Sequence, residues 1–471
     1  MSRFKQPERA LAPLPPAQLG KGSTASVVEP GPPVIKAPAV APGGMAVPQA
    51  VPRQEESRAT KLGMLALCAV ILSPYIQDLT SRLGFKPYLN IVGFIILPFA
   101  FLGSGQVFRA FRSSTGKAWL GFAFFATLSI PFSVWPGDST TVMRTFMVQA
   151  LSLFFFMCAF ATSYRLCRWI VTTNLIAAVL VLINCAAFGD NSIGRVFIPG
   201  SYLLSNSNDL ALALLINMGY FYYLVLKPDK PFLRLLGGVG MLACLYFILK
   251  TASRGGFLAL GVSLLVLFIF SRNKFAWAVV VVPVLAASLA LMPSNLIHRF
   301  GLILANPELS QAESESDVAA IESQSERQEL MKKAIHYTLT RPLLGVGPGE
   351  FGTAVLEDEH KAGKHSPDLG THNTYLEVSS ECGLPAFFCY VAVVLACIRV
   401  NYRGLKRLRQ RPDLADPARL AYCLLAIGAG FAVNIFFHHL AFSLHLPLLS
   451  GITACLNTVG RSGPVPDPPV A

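Results

Sequence analysis

Apolar and polar positions along this chain fall into long blocks. Apolar windows recur at 61–77, 88–108, 118–136, 143–163, 168–188, 209–226, 232–250, 255–271, 275–292, 384–400, 420–438 and 442–459, and charged or turn-forming residues close each of them. Their lengths approach or exceed the roughly 20 residues a helix needs to cross about 30 Å of hydrocarbon. The pattern predicts about twelve membrane helices. Pro131 and Pro447 fall inside the third and last windows, where neighbouring helices can satisfy the backbone groups that proline frees.

The polar blocks divide the rest. Residues 1–60, with LAPLPPAQLG and EPGPPVIKAPAVAPGG, hold too few large apolar side chains to build a core and predict a disordered, Pro/Ala-rich tail. No compact apolar stretch with a cleavage site precedes the first window, so that helix is expected to stay attached and act as the insertion signal. Helices one to nine occupy 61–292, a large loop 293–383, helices ten to twelve 384–459 and a short tail 460–471.

Composition narrows the class. Of 471 residues, 53% are hydrophobic and 14% charged, with a mean hydropathy of +0.52, which excludes an ordinary soluble domain. The expected fold is an all-α integral membrane protein. Most of the ten cysteines lie within the apolar windows and read as small apolar residues; no disulfide framework or zinc spacing appears.

Basic residues orient the helices. Arg109, Arg112 and Lys117 share one short loop, Arg165 and Arg168 another, Lys227, Lys230 and Arg234 a third, and Arg272 and Lys274 a fourth; RVNYRGLKRLRQRPDLADPAR follows the tenth helix. Counting crossings puts all of them on one side, the cytoplasmic side by the positive-inside rule, together with both termini. This sidedness accounts for most of the +13 net charge and leaves no call for nucleic acid as a partner.

The outward side should be poor in Lys and Arg, yet it carries Arg195, Arg254, Arg299 and Arg327. A guanidinium offers a planar fork to phosphate oxygens, so an anionic ligand would explain them. Snorkelling at the interface, or pairing with Glu313, Glu315, Asp317 and Glu322, is the competing explanation. Within the large loop, 323–340 (SQSERQELMKKAIHYTLT) places Leu330, Ala334, Tyr337 and Thr338 on one face and predicts an amphipathic helix that Arg341-Pro342 ends. PLLGVGPGEFG follows, a shaped backbone loop; without a βαβ context it is no dinucleotide fingerprint. His372 and Asn373 then open HNTYLEVSSECG. An imidazole on the face that bears the arginines suits a base able to take a hydroxyl proton beside an anionic leaving group, although a packing histidine is the plainer reading.

Taken in order, SNSNDLA at 205–211, TASRGG at 251–256, SERQEL leading into RPLLGVGPGEFG, and HNTYLEVSSECGLPAFF resemble the O-antigen ligase and polymerase family of bacterial envelope glycosyltransferases. The resemblance covers roughly residues 200–400. It implies a GT-C-like membrane glycosyltransferase in the inner membrane with a large periplasmic loop. Such an enzyme takes a glycan from an undecaprenyl-diphosphate-linked oligosaccharide and attaches it to an acceptor hydroxyl, needing neither a cofactor nor a metal ion. Arg254 and Arg327 would grip the diphosphate, Arg195 would be a second-rank candidate, His372 would take or orient the hydroxyl, and Asn373 would support it. Two departures stand out: Asn206-Ser207-Asn208 where the family often has Asn-Pro-Asn, and Met331 where it has an aromatic residue four positions after the loop arginine. The second makes Arg299 the alternative to Arg327.

Ligase and polymerase differ in the acceptor: lipid A-core, another lipid-linked repeat, or a protein side chain. Nothing in the outer loop announces a protein acceptor, which favours polymerisation of O-antigen or exopolysaccharide repeats, with chain-length regulators or export proteins as candidate partners. A transporter would place ionisable groups near the bilayer midplane and repeat its halves; neither feature is seen. A scaffold acting through the proline-rich tail would leave the outward arginines unexplained.

Overall fold

A computed structural model of the protein describes residues 56–282, 315–361, 363 and 370–459, apart from 83, 86, 87, 193, 202, 276, 279 and 280. Most of the expected tail at 1–60, Arg299, most of the ninth predicted helix and the segment 460–471 lie outside the described residues; the end of that tail, from Arg58, is helical instead. Among those described, helices dominate and no strand forms; the one β-bridge pairs Asp190 with Phe197.

In chain order the helices are α1 (Arg58–Ser81), α2 (Leu89–Gly103), α3 (Ser114–Ser129), α4 (Pro136–Thr145), α5 (Ser152–Phe160), α6 (Tyr164–Phe188), α7 (Ser207–Val225), α8 (Pro231–Thr251), α9 (Arg254–Phe270), α10 (Glu315–Thr340), α11 (Phe351–Lys361), α12 (Thr374–Leu408), α13 (Ala415–Asn434) and α14 (His445–Val459). Among the described residues, six continuous stretches are long and apolar enough to cross a membrane: α1, Pro136–Phe160, α6, α8, α12 and Pro412–Phe437. The shorter α2 and α9 are also apolar. Phe99, Phe124, Phe232 and Phe388 are exposed while Phe122, Phe146 and Phe221 are fully buried. A protein greasy on both its inner and outer surfaces is solvated by lipid.

Local chemistry sets several boundaries. Ser57, Ser113 and Ser163 cap α1, α3 and α6 by accepting backbone N–H bonds. The predicted third helix stops at Ser129, before Pro131 starts a short 3₁₀ turn. The gap at 137–142 between the third and fourth predicted helices is itself helical: Pro136 fits the first helical turn, where its missing N–H costs nothing, and Asp138 complements the helix dipole. Residues 146–151 form a π-helical turn that joins α4 to α5.

The tenth predicted membrane helix begins ten residues earlier than its apolar window. α12 runs through Thr374–Leu408 with a kink at Gly383, whose φ is 81°, followed by Pro385. Its first turns carry Glu377, Ser379, Ser380 and Glu381, all buried by protein. The expected amphipathic helix is present as α10, with Leu330, Ala334 and Tyr337 packed against Val346, Phe351, Ala354 and Val355 in a small core separate from that of the membrane helices. Thr338 Oγ1 lies 2.9 Å from Ser379 Oγ and ties this layer to α12.

The glycine-rich loop presses its backbone onto the kink. Val346 N–H donates to Ser380 O at 2.9 Å, Gly347 N–H to Glu381 O at 2.8 Å, and Leu384 N–H to Pro342 O at 2.7 Å. Gly345 and Gly347 have φ of 66° and 112°, and a Cβ on either would collide with Glu381 or with Ser133. Only glycine fits there.

Candidate active site

Three capped helix N-termini meet. Asn206 Oδ1 accepts from Asn208 N–H at 2.9 Å ahead of α7, Ser253 Oγ from Gly256 N–H at 3.2 Å ahead of α9, and Asn373 Oδ1 from the N–H groups of Tyr375 and Leu376 at 3.0 and 3.2 Å ahead of α12. Gly256 packs on Ala211 of α7, and Gly255 on Phe437, which follows α13. His438 comes next, and its carbonyl accepts from Thr374 Oγ1 at 2.8 Å in the first turn of α12. Converging N-termini make this end of the bundle electropositive.

The predicted motifs are therefore neighbours. Arg195 donates through Nη2 to Asn208 Oδ1 at 2.8 Å and through Nε to Thr251 O at 3.1 Å, which binds its loop to α7 and to the end of α8. Arg254 opens α9 beside Gly255. Arg327 reaches in from α10, and its charge bears on both His372 and His439. The Asn373 side chain, expected to support the histidine, caps α12 through its oxygen. His372 itself adopts φ 50°, a left-handed conformation uncommon in non-glycine residues and typical of constrained functional positions.

Around His372 stand residues whose role the sequence did not reveal. Its ring packs edge to face against His439, centroids 5.1 Å apart with an interplanar angle of 72°. His438 is 3% exposed; its Nδ1 lies 3.2 Å from Asp209 Oδ1, and its Nε2 has no hydrogen-bond partner among the described residues. Leu440 N–H donates to Thr374 Oγ1 at 3.0 Å, and Ala441 N–H to Glu377 Oε2 at 3.1 Å. Burial, then the cation of Arg327 and the two nearby histidines, push His372 down to about 4, against a weaker opposing pull from Asp209. The imidazole is therefore neutral at neutral pH and keeps a lone pair for a proton.

Beneath the site, Glu381 accepts through its carboxylate from Gly349 N–H at 2.7 Å and from Phe351 N–H at 3.4 Å, which holds the glycine loop from below. Glu350 in that loop is fully buried, and burial raises its carboxyl above the ordinary range. The paired histidines of FFHHLAF, in an otherwise uncharged stretch, and the acid within SNSNDLA were the available signals for His438, His439 and Asp209.

Fold and site together define a helical membrane protein with an arginine- and histidine-bearing site gathered at one end of its helices. A family model described as O-antigen ligase matches residues 239–391, and the resemblance to the O-antigen ligase and polymerase family is borne out over that segment. It contains Arg254, Arg327, His372 and Asn373; Arg195, Asp209 and His439 lie outside it and fold against it. No curated protein matches the chain.

Proposed function

We propose that the protein is a glycosyltransferase that moves a glycan from an undecaprenyl-diphosphate-linked donor to an acceptor hydroxyl at the periplasmic face of the bacterial inner membrane, most readily polymerising O-antigen or exopolysaccharide repeats. The observation that carries this reading is the meeting of Arg327, from the outer loop, with His372 at a junction of three helix N-termini. Cationic groups there suit a diphosphate, and a neutral imidazole beside them suits a hydroxyl. In this reading some twelve helices cross the bilayer in a GT-C-like arrangement, both termini are cytoplasmic, and the loop 293–383 is periplasmic.

Arg254 and Arg327 hold the donor diphosphate. Arg195, already bonded to Asn208 and Thr251, stiffens the same corner and adds charge. His372 takes or orients the acceptor hydroxyl. The hydroxyl oxygen displaces the lipid diphosphate directly, which inverts the anomeric centre. Neither a nucleotide sugar nor a metal ion is required, because arginines and helix termini carry the charge of the leaving group. The same parts would serve a ligase, which differs only in its acceptor.

The test is reconstitution of the purified protein with a lipid-linked oligosaccharide as the sole glycan, with and without a separate acceptor. A ladder from donor alone is the expected result. Transfer only when lipid A-core or a protein acceptor is added makes the enzyme a ligase or a protein oligosaccharyltransferase; an inert donor in every arm rejects the reading.

A further inference from the structure

His439 is held as firmly as His372 and in the same frame. The carbonyl before it and the N–H after it both bond to Thr374 Oγ1, at 2.8 and 3.0 Å, and the next N–H bonds to Glu377 at 3.1 Å. Thr374 and Glu377 lie in the turn of α12 that His372 and Asn373 lead into. One helical turn thus fixes the backbone at both histidines, and their rings meet edge to face at 5.1 Å. From behind, Asp209 anchors His438, the residue next to His439, at 3.2 Å.

The two rings differ in surroundings. His439 is exposed whereas His372 is half-buried, and among the described residues no hydrogen bond engages either ring nitrogen of His439. Burial and then His438 lower the proton affinity of His439 too, but there the carboxylate of Asp209 outweighs the cation of Arg327, whereas at His372 the order is reversed. A nearby carboxylate favours the imidazolium that proton transfer creates, whereas a nearby guanidinium disfavours it. His439, the more exposed ring, is thus the better placed to take a proton, and His372 is the ring on which the cation of Arg327 bears more strongly.

Resting on the glycosyl-transfer reading above, we infer that His439 is a second catalytic residue, the one that accepts the proton of the acceptor hydroxyl, while His372 orients that hydroxyl against the donor. In the step, the hydroxyl oxygen forms a bond to the anomeric carbon as the bond from that carbon to the diphosphate oxygen breaks. The diphosphate leaves with the electron pair, and the hydroxyl proton passes to a ring nitrogen of His439. The imidazolium then returns the proton to solvent.

The experiment compares wild type, His439→Gln, His439→Ala and Arg327→Ala in reconstituted bilayers, measuring turnover and KM for an undecaprenyl-diphosphate-linked oligosaccharide, with thermal unfolding as a check on folding. Loss of a proton acceptor lowers kcat by roughly 10²–10⁴-fold with donor KM within about threefold, whereas Arg327→Ala raises donor KM. Folded His439 variants that keep kcat within about threefold of wild type overturn the assignment, as does a loss seen in KM alone. Should the exposed position still prove needed for folding, His439→Gln expressed at a permissive temperature gives the same kcat and KM comparison. An inert wild type would instead overturn the underlying reading of the site.

Discussion

Nδ1 of His438 and Oδ1 of Asp209 lie 3.2 Å apart, which joins the segment after α13 to the first turn of α7 at the centre of the site. With Nδ1–H donating to the carboxylate, the ring is fixed in one orientation and His439 follows from a set position. Asp209→Asn should keep the shape but lose the charge, lowering turnover by about 10- to 100-fold, the rate equivalent of a charged hydrogen bond worth about 1.5–3 kcal/mol. Steady-state kinetics on folded protein check this; a variant as active as wild type would reduce the pair to packing.

The low proton affinity of His372 carries a pH signature. Its ordinary value of 6.5 drops to about 4 in the folded protein, so between these limits the unfolded chain binds a proton that the folded chain refuses. Stability from this group is complete above about pH 6.5 and declines as pH falls toward 4. Thermal unfolding across that range should show a shallower acid decline in His372→Gln than in wild type; parallel curves would refute the shift.

Removing the imidazole also tests its part in the chemistry. His372→Ala should lower turnover by roughly 10²–10⁴-fold with insertion intact. Near-normal rates would remove it from hydroxyl activation altogether.

Arg254 tests the geometry of anion binding. Arg254→Lys keeps the charge but loses the planar fork, so donor KM should rise or turnover fall by about tenfold or more, the loss of one charge-assisted bond. Kinetics equal to wild type would point to plain charge attraction.

The glycine loop is testable through stability. Gly347 has φ 112° and faces Ser133, whose Oγ lies 2.7 Å from that of Ser139. Gly347→Ala should cost about 1–3 kcal/mol from backbone strain alone, and more from the collision, measured as a lowered Tm in detergent. An unchanged Tm would mean that the loop can leave the kink without loss.

Hydropathy located the helices that face lipid, because there the side chains alone decide the partition. It could not find the first turns of α12, whose Glu377, Ser379, Ser380 and Glu381 are shielded by the glycine loop, α10 and the segment after α13, and so read as polar loop. α11 escaped for a related reason: only Phe351, Ala354 and Val355 are buried, too few for a periodic signal. The arginines and His372 were legible because cations are unexpected on the side that the positive-inside rule makes outward. His438, His439 and Asp209 were not, because their role depends on α13 ending at Asn434 and folding its extension back onto α7 and α12.

At roughly 1.5 Å per residue, the 35 residues of α12 trace about 50 Å of helix in two arms that meet at the Gly383 kink, against about 30 Å of hydrocarbon. One end bears Arg399, Arg403, Lys406 and Arg407; the other is capped by Asn373, next to His372. Where headgroups seat the basic end, the length and bend of this one helix consequently fix how far His372 stands from that leaflet.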